Sequence, residues 1–85
     1  MPKILRTDKF VEEFLHLDSK EKKQVIKTLQ LLESNPRHPS LQVHRIKGTA
    51  LWEAYANKDI RVIYEQTGDT LLLLVCGHHD LLKRY

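Results

Sequence analysis

Cysteine, glycine and proline are scarce in this 85-residue chain: one, three and three residues. A lone cysteine, Cys76, closes no internal disulfide, so apolar packing alone has to hold the fold, and a reducing compartment fits. No apolar run approaches the roughly 18 residues of a membrane-crossing helix, the longest being Leu71 to Cys76. The N-terminal MPKILRTDKF has charges with no apolar core behind them, so it does not read as a secretory signal, and a cytoplasmic protein without membrane contact is expected. No cysteine pair offers metal-ligand spacing, and adjacent His78 and His79 point to opposite sides in extended backbone. Gly48, Gly68 and Gly77 stand isolated, outside any Walker, GxGxxG or GxSxG pattern. Neither a metal nor a cofactor is expected.

What is present suits one globular domain over residues 1–85: hydrophobic residues are 41% and charged residues 29%, and the length allows a single core. The formal charge is +3. Its distribution says more than its total, because residues 1–36 carry seven Lys/Arg against six Asp/Glu, while 37–64 carry five against two, with two of the five histidines. The second segment is the expected anion-facing surface.

Ile4-Leu5 followed by Thr7-Asp8 reads as a short strand running into a helix capped by Thr7. Phe10, Val11, Phe14, Leu15 and Leu17 then fall at helical spacing, which predicts a helix over 8–17. Asp18 with Glu21 three residues later is a capping-box start, and Val25, Ile26, Leu29, Leu31 and Leu32 carry a second helix to Asn35-Pro36. From Leu41 the period becomes two, predicting strands at 41–46, 51–56, 60–64 and 71–76. The 57–59 and 66–69 segments are hairpin turns. The last strand, apolar on both faces, belongs in the sheet centre and ends at Gly77. A polar tail from His78 to Tyr85 completes an α+β order β-α-α-β-β-β-β, an antiparallel sheet with a helical hairpin on one face and the other face free.

Polar residues gather at the strand ends: His44, Arg45, Lys47, Asp59, Arg61, His78, His79, Lys83, Arg84 and Tyr85. Metal-free cleavage of RNA needs a group to take the 2′-hydroxyl proton, one to protonate the leaving 5′-oxygen, and a cation for the phosphorane charge. His, Asp and Arg are suited to these roles, Arg through a fork onto two phosphate oxygens. Each residue also has a plain structural reading. A surface histidine is usually only that, and Arg61 inside an apolar strand either faces the open side or pairs with Glu53 or Glu65. Trp52 and Tyr55 fall on opposite faces, so at least one is core, and Lys20 to Lys27 read as a solvated helix face.

The segments HPSLQVHRIKG (38–48), WEAYANKDIRVIYE (52–65) and GDTLLLLVCGHHD (68–80), in this order after a helical hairpin ending in Asn35-Pro36, resemble the RelE/ParE superfamily of toxin–antitoxin toxins, and within it the YafQ-like branch. The resemblance implies the family fold, an antiparallel sheet backed by two helices. It implies an mRNA endonuclease working in the ribosomal A site by 2′-hydroxyl attack. His79 matches a catalytic histidine and would be the acid. His44 or Asp59 would be the base, Arg61 the transition-state cation, with Arg45 and Lys47 positioning phosphates. Lys58, His78, Lys83, Arg84 and Tyr85 complete the implied RNA contacts, Tyr85 matching a C-terminal tyrosine of the RelE branch. The chain departs from the family at Tyr55, where the YafQ-like branch has a further histidine, and at Lys83, where some members have an aromatic. At Trp52 and Ala54 RelE-like sites carry lysines.

Implied partners are a cognate antitoxin, which would cover the sheet and its basic site, together with the ribosome and mRNA. DNA would be met only through the toxin–antitoxin complex. The rival reading is a non-catalytic binding protein, either a ParE-like inhibitor of DNA gyrase or a degenerate toxin that only binds its antitoxin.

Overall fold

Side-chain caps set the start of both helices. The computed structural model describes residues 2–82, running β1 (Lys3–Arg6), α1 (Asp8–Leu15), α2 (Ser19–Ser34), β2 (His44–Arg45), β3 (Leu51–Tyr55), β4 (Ile60–Thr67) and β5 (Thr70–His78). Short 3-10 turns lie at Pro39–Leu41 and His79–Leu82. The Thr7 hydroxyl accepts from Phe10 N–H at 3.2 Å and donates to the Leu73 carbonyl at 2.9 Å, so one side chain both caps α1 and ties it to β5. Asp18 accepts from Glu21 N–H at 2.7 Å while Glu21 accepts from Asp18 N–H at 3.1 Å, closing the expected box at α2. Helix α1 stops at Leu15, short of the expected Leu17, because His16 and Leu17 donate to carbonyls three residues back and tighten the turn.

The strand order is β1-β5-β4-β3-β2. The expectation of a wholly antiparallel sheet is corrected at one edge: β1 lies parallel to β5, anchored by Lys3 N–H to Asp69 O at 2.7 Å and Thr7 N–H to Leu73 O at 3.2 Å, so the sheet is mixed. The chain reaches β5 only after the meander β2–β4 has returned it beside its own start, and that return fixes the parallel sense. Strand β5 is interior, as its apolar run requires, next to the middle strand β4. It continues through Gly77 to His78, which pair with Arg61 and Ile60. The expected strand over 41–46 shrinks to His44–Arg45. Pro39 and the His38 ring, which accepts from Ser40 N–H at 3.1 Å, turn Leu41 into a 3-10 segment, and Gln42 takes a left-handed φ of 44°.

Phe10, Val25, Leu29 and Leu32 of the helices pack on Ala54, Ile60, Val62, Tyr64, Leu71, Leu73 and Cys76 of the sheet. The opposite face is not wholly free. The C-terminal turn lays Leu82 on Ile63 and Val75, with Ile46 and Leu51 at the margin. No helix among the described residues is long and apolar enough to cross a membrane.

Burial pushes the Tyr64 phenol up to about 12, and burial together with the nearby Glu13 carboxylate pushes the Cys76 thiol up to about 12. Both groups ionise more readily in the unfolded chain, so the stability they contribute is complete at neutral pH and is lost as pH climbs from the ordinary thiol value of 9.0 toward 12. Urea melts between pH 8 and 11 should show a steady fall in midpoint, shallower in Cys76→Ala. A flat profile would contradict the burial of these groups. The native thiol should also resist alkylation until denaturant is added.

Candidate functional site

Alternation along β3 sends Trp52 and Ala54 toward the helices and Leu51, Glu53 and Tyr55 to the other face. On that face the register forms rows across the sheet. His44, Glu53, Ile63 and Val75 make one row, and Tyr55, Arg61 and Gly77 the next. A third position beyond them joins Asp59 and His79, whose N–H donates to the Asp59 carbonyl at 2.7 Å. A Cβ built on Gly77 would meet nothing within 4 Å, so the sheet is open beside Arg61.

Glu53 is the electrostatic centre of the face. Only 9% exposed, its Oε1 lies 3.2 Å from His44 Nε2 and 3.6 Å from Arg61 Nε. A charge this buried needs such partners. Arg61 has Glu53 and not Glu65 as its partner because the register sets Tyr55 opposite Arg61 and Glu53 on the diagonal, while Glu65 faces Leu51 two rows away. The guanidinium carbon sits 4.5 Å from the Tyr55 ring centroid, and Nη1 donates to the carbonyls of Asn57 at 2.6 Å and Ile60 at 3.3 Å. With Nε beside Glu53 and Nη1 bonded to two carbonyls, Nη2 with its two N–H groups is the nitrogen without an acceptor among the described residues, so the expected fork onto phosphate narrows to a single nitrogen.

The β3–β4 turn is shaped by the Asn57 side chain, which accepts from Asp59 N–H at 2.7 Å and Ile60 N–H at 2.9 Å. Asp59 and His79 are exposed, and neither the carboxylate nor the imidazole has a protein partner among the described residues. Lys58 is exposed beside Asp59, and Lys47 at the exposed β2–β3 turn. Arg45 lies opposite Trp52, on the other face from His44, and its Nε donates to the Thr49 carbonyl at 3.1 Å, bracing that turn. His78 also leaves the group. Alternation turns it toward the helices, where Nε2 lies 3.1 Å from Glu21 of α2. Lys83, Arg84 and Tyr85 lie outside the described residues.

The structure thus brings His44 and Arg61 together through Glu53, sets Asp59 against His79, and directs His78 and Arg45 elsewhere. Trp52 packs against the core while Tyr55 sits under Arg61, resolving which aromatic belongs to the site face. Sequence reasoning treated Glu53 only as a possible mate for Arg61. The available signal was a single acid within the alternating Leu51–Tyr55 strand, on the same parity as Tyr55.

No protein-family model matches the sequence, and no curated protein matches it. Solved structures do. A copper-bound mutant toxin from Helicobacter pylori is 28% identical, with 96% of this chain and 99% of that one covered at a TM-score of 0.70. YafQ from E. coli is 18% identical, with 98% and 99% covered at a TM-score of 0.78. The E. coli RelBE toxin–antitoxin complex contains a chain 15% identical, with 92% and 96% covered at 0.72. The latter two speak for the fold alone, the first for sequence as well. Among the described residues here, no three His, Cys, Asp or Glu side chains gather in a group able to hold a metal. Nearly end to end, the chain has the fold of the YafQ and RelE toxins, and at 28% identity it is similar in sequence as well to the Helicobacter toxin.

Proposed function

We propose that this protein is the toxin of a type II toxin–antitoxin pair and a ribosome-dependent mRNA endonuclease, cutting RNA by attack of the 2′-hydroxyl. The observation that supports it most is the unpaired Asp59 carboxylate and His79 imidazole on backbones joined at 2.7 Å, at the end of the face that carries Arg61. Either Asp59 or His44 removes the 2′-hydroxyl proton. The 2′-oxygen then bonds to phosphorus, and the P–O5′ bond breaks as His79 gives its proton to the departing oxygen. The products are a 2′,3′-cyclic phosphate and a 5′-hydroxyl end. Arg61 Nη2, with Lys58, offsets the charge gathered on the phosphate, while Lys47, at the β2–β3 turn on the far end of the sheet, would meet the RNA further along its backbone. An antitoxin, the partner that RelE has in the RelBE complex, would lie over this face, and DNA would be met only through that complex.

Removing a general acid slows such chemistry by about 10² to 10⁴. Primer extension on a reporter mRNA, after induction in a bacterial host, should show breaks within translated codons that disappear in His79→Ala with the circular dichroism spectrum unchanged. Undiminished cleavage by His79→Ala would remove His79 from the mechanism. Growth arrest with intact mRNA would favour the second reading, a non-catalytic inhibitor of gyrase or another target. That reading has one observation on its side, the commitment of Arg61 Nε and Nη1 to protein acceptors.

A further inference from the structure

We infer that Tyr55 seats the base of the nucleotide on the 5′ side of the cut, the one whose 2′-hydroxyl attacks, by stacking on the ring face that Arg61 leaves open. The 5′ assignment rests on the nuclease reading; the base seat itself does not.

Tyr55 is half-buried on the site face, and the guanidinium carbon of Arg61 lies 4.5 Å from its ring centroid. That cation is the ring's one partner among the described residues, and the phenol hydroxyl has no hydrogen bond there. On the flank away from Arg61 the sheet stops short. The β2–β3 register would set Gln42 opposite Tyr55, but β2 begins at His44, because Gln42 takes a left-handed backbone of φ 44° and ψ 43°. No strand residue therefore pairs with Tyr55 on that side. His44, the first residue of β2, is held back by the Gln42 carbonyl, 3.1 Å from Nδ1, and by Glu53, 3.2 Å from Nε2. An aromatic ring half-covered and set beside a cation is the pairing by which proteins hold unpaired nucleotides, ring against base and charge against phosphate.

The direction of the RNA follows from the order of the groups across the sheet. The phosphate meets its cation at Arg61 on β4, beside Gly77 on β5, where an added Cβ would meet nothing within 4 Å and the RNA can come down onto the backbone. His79, the donor to the departing 5′-oxygen, continues from β5, so the nucleotide 3′ of the cut lies on that side. Both candidates for the general base lie on the other side of it: Asp59 leads into β4, and His44 is on β2. Whichever takes the proton, the attacking 2′-hydroxyl and its nucleotide stand toward β3. Tyr55 is the aromatic that β3 presents there, one strand or about 4.8 Å from Arg61, since Trp52 packs against the core. Stacking reads no base edges, so the seat accepts every base and favours the larger purine surface.

The test maps the cut on ribosome-bound mRNA and then places an abasic nucleotide on its 5′ or its 3′ side. With the native protein the 5′ abasic nucleotide should raise KM by roughly tenfold, the size of one stacked base. In Tyr55→Leu the intact substrate should already show that rise, and taking the base away should add less than about twofold, because its partner is gone. If Tyr55 only supported Arg61, the variant would lower kcat on both substrates and keep the native abasic ratio, which would overturn the inference. An abasic effect confined to the 3′ side of the cut, read in the native protein alone, would overturn it as well. A second arm needs no cleavage. A uridine-flanked single-stranded RNA carrying one 2′-deoxy-2-aminopurine, whose fluorescence falls when the base stacks, is titrated with the full chain. Saturable quenching by the native protein that Tyr55→Leu lacks supports the seat; quenching that is absent, or equal in the two proteins, removes it. If the native chain cut no RNA, the nuclease reading and the 5′ assignment would fall together, and the fluorescence would still decide the base seat.

Discussion

Phe10→Ala is expected to destabilise the domain by about 3–5 kcal/mol, the range for deleting a buried aromatic ring. Phe10 is 1% exposed and is the one residue of α1 buried outright. Its ring lies 6.5 Å from that of Phe14 at 19°, and the Cys76 thiol lies 3.9 Å from its carbonyl. A helix of eight residues has too few hydrogen bonds to persist unaided, so its attachment to the sheet rests on this ring, on the Thr7 cap and on the Glu13 carboxylate, which accepts from Cys76 N–H at 3.2 Å. Small domains have total stabilities of about 5–10 kcal/mol, so the loss approaches half or more of the total and should lower Tm by on the order of 20 °C. Leu15→Ala on the same helix, at a position 62% exposed, should shift stability by no more than about 0.5 kcal/mol. Thermal melts by circular dichroism decide it, and equal shifts for the two variants would mean that α1 is not held as described.

A second large effect is expected where Glu53 meets Arg61. Arg61→Met removes the cation beside a carboxylate that is 11% exposed at the side chain and leaves it with His44 alone, a change expected to cost about 3 kcal/mol. Glu53→Leu strands a guanidinium that is 15% exposed, though Asn57 and Ile60 carbonyls still receive Nη1, so a smaller loss of about 2 kcal/mol is expected. The double variant removes both charges and should recover to near native stability, because two apolar side chains carry no desolvation penalty at this site. On the proposed nuclease reading, cleavage should be absent in all three. Urea melts read the coupling directly. If the double variant lost the sum of the single losses, the two residues would not be acting as a pair. If it regained stability and kept cleaving, Arg61 would have no part in the chemistry.

Legibility in the chain followed the range of each interaction. The Thr7 and Asp18 caps were readable because each involves groups only three residues apart. The stop after α2 was readable because Pro36 lacks a backbone donor. Alternation placed Trp52 and Tyr55 on opposite faces, but which face the helices would cover was a matter for the whole sheet. His78 and His79 show the same limit: neighbours of one type, separated by the pleat and then assigned to Glu21 on one side and to the Asp59 backbone on the other. The short β2 escaped the period-two reading because Pro39 and the left-handed Gln42 act on the backbone and leave the apolar pattern of Leu41 and Val43 intact.

By itself the sequence determined the order of elements, their approximate bounds, the single unstapled core and the residue types from which a phosphate site can be built. Those properties come from local backbone chemistry and from hydrophobic period. Tertiary structure decided the parallel pairing of β1 with β5, the packing of Leu82 on Ile63 and Val75 of the open face, the choice of Glu53 over Glu65 for Arg61, and the two acceptors around His44. Each of these depends on register between strands far apart in the chain, and register is set by the packed sheet as a whole and not by any one of its strands.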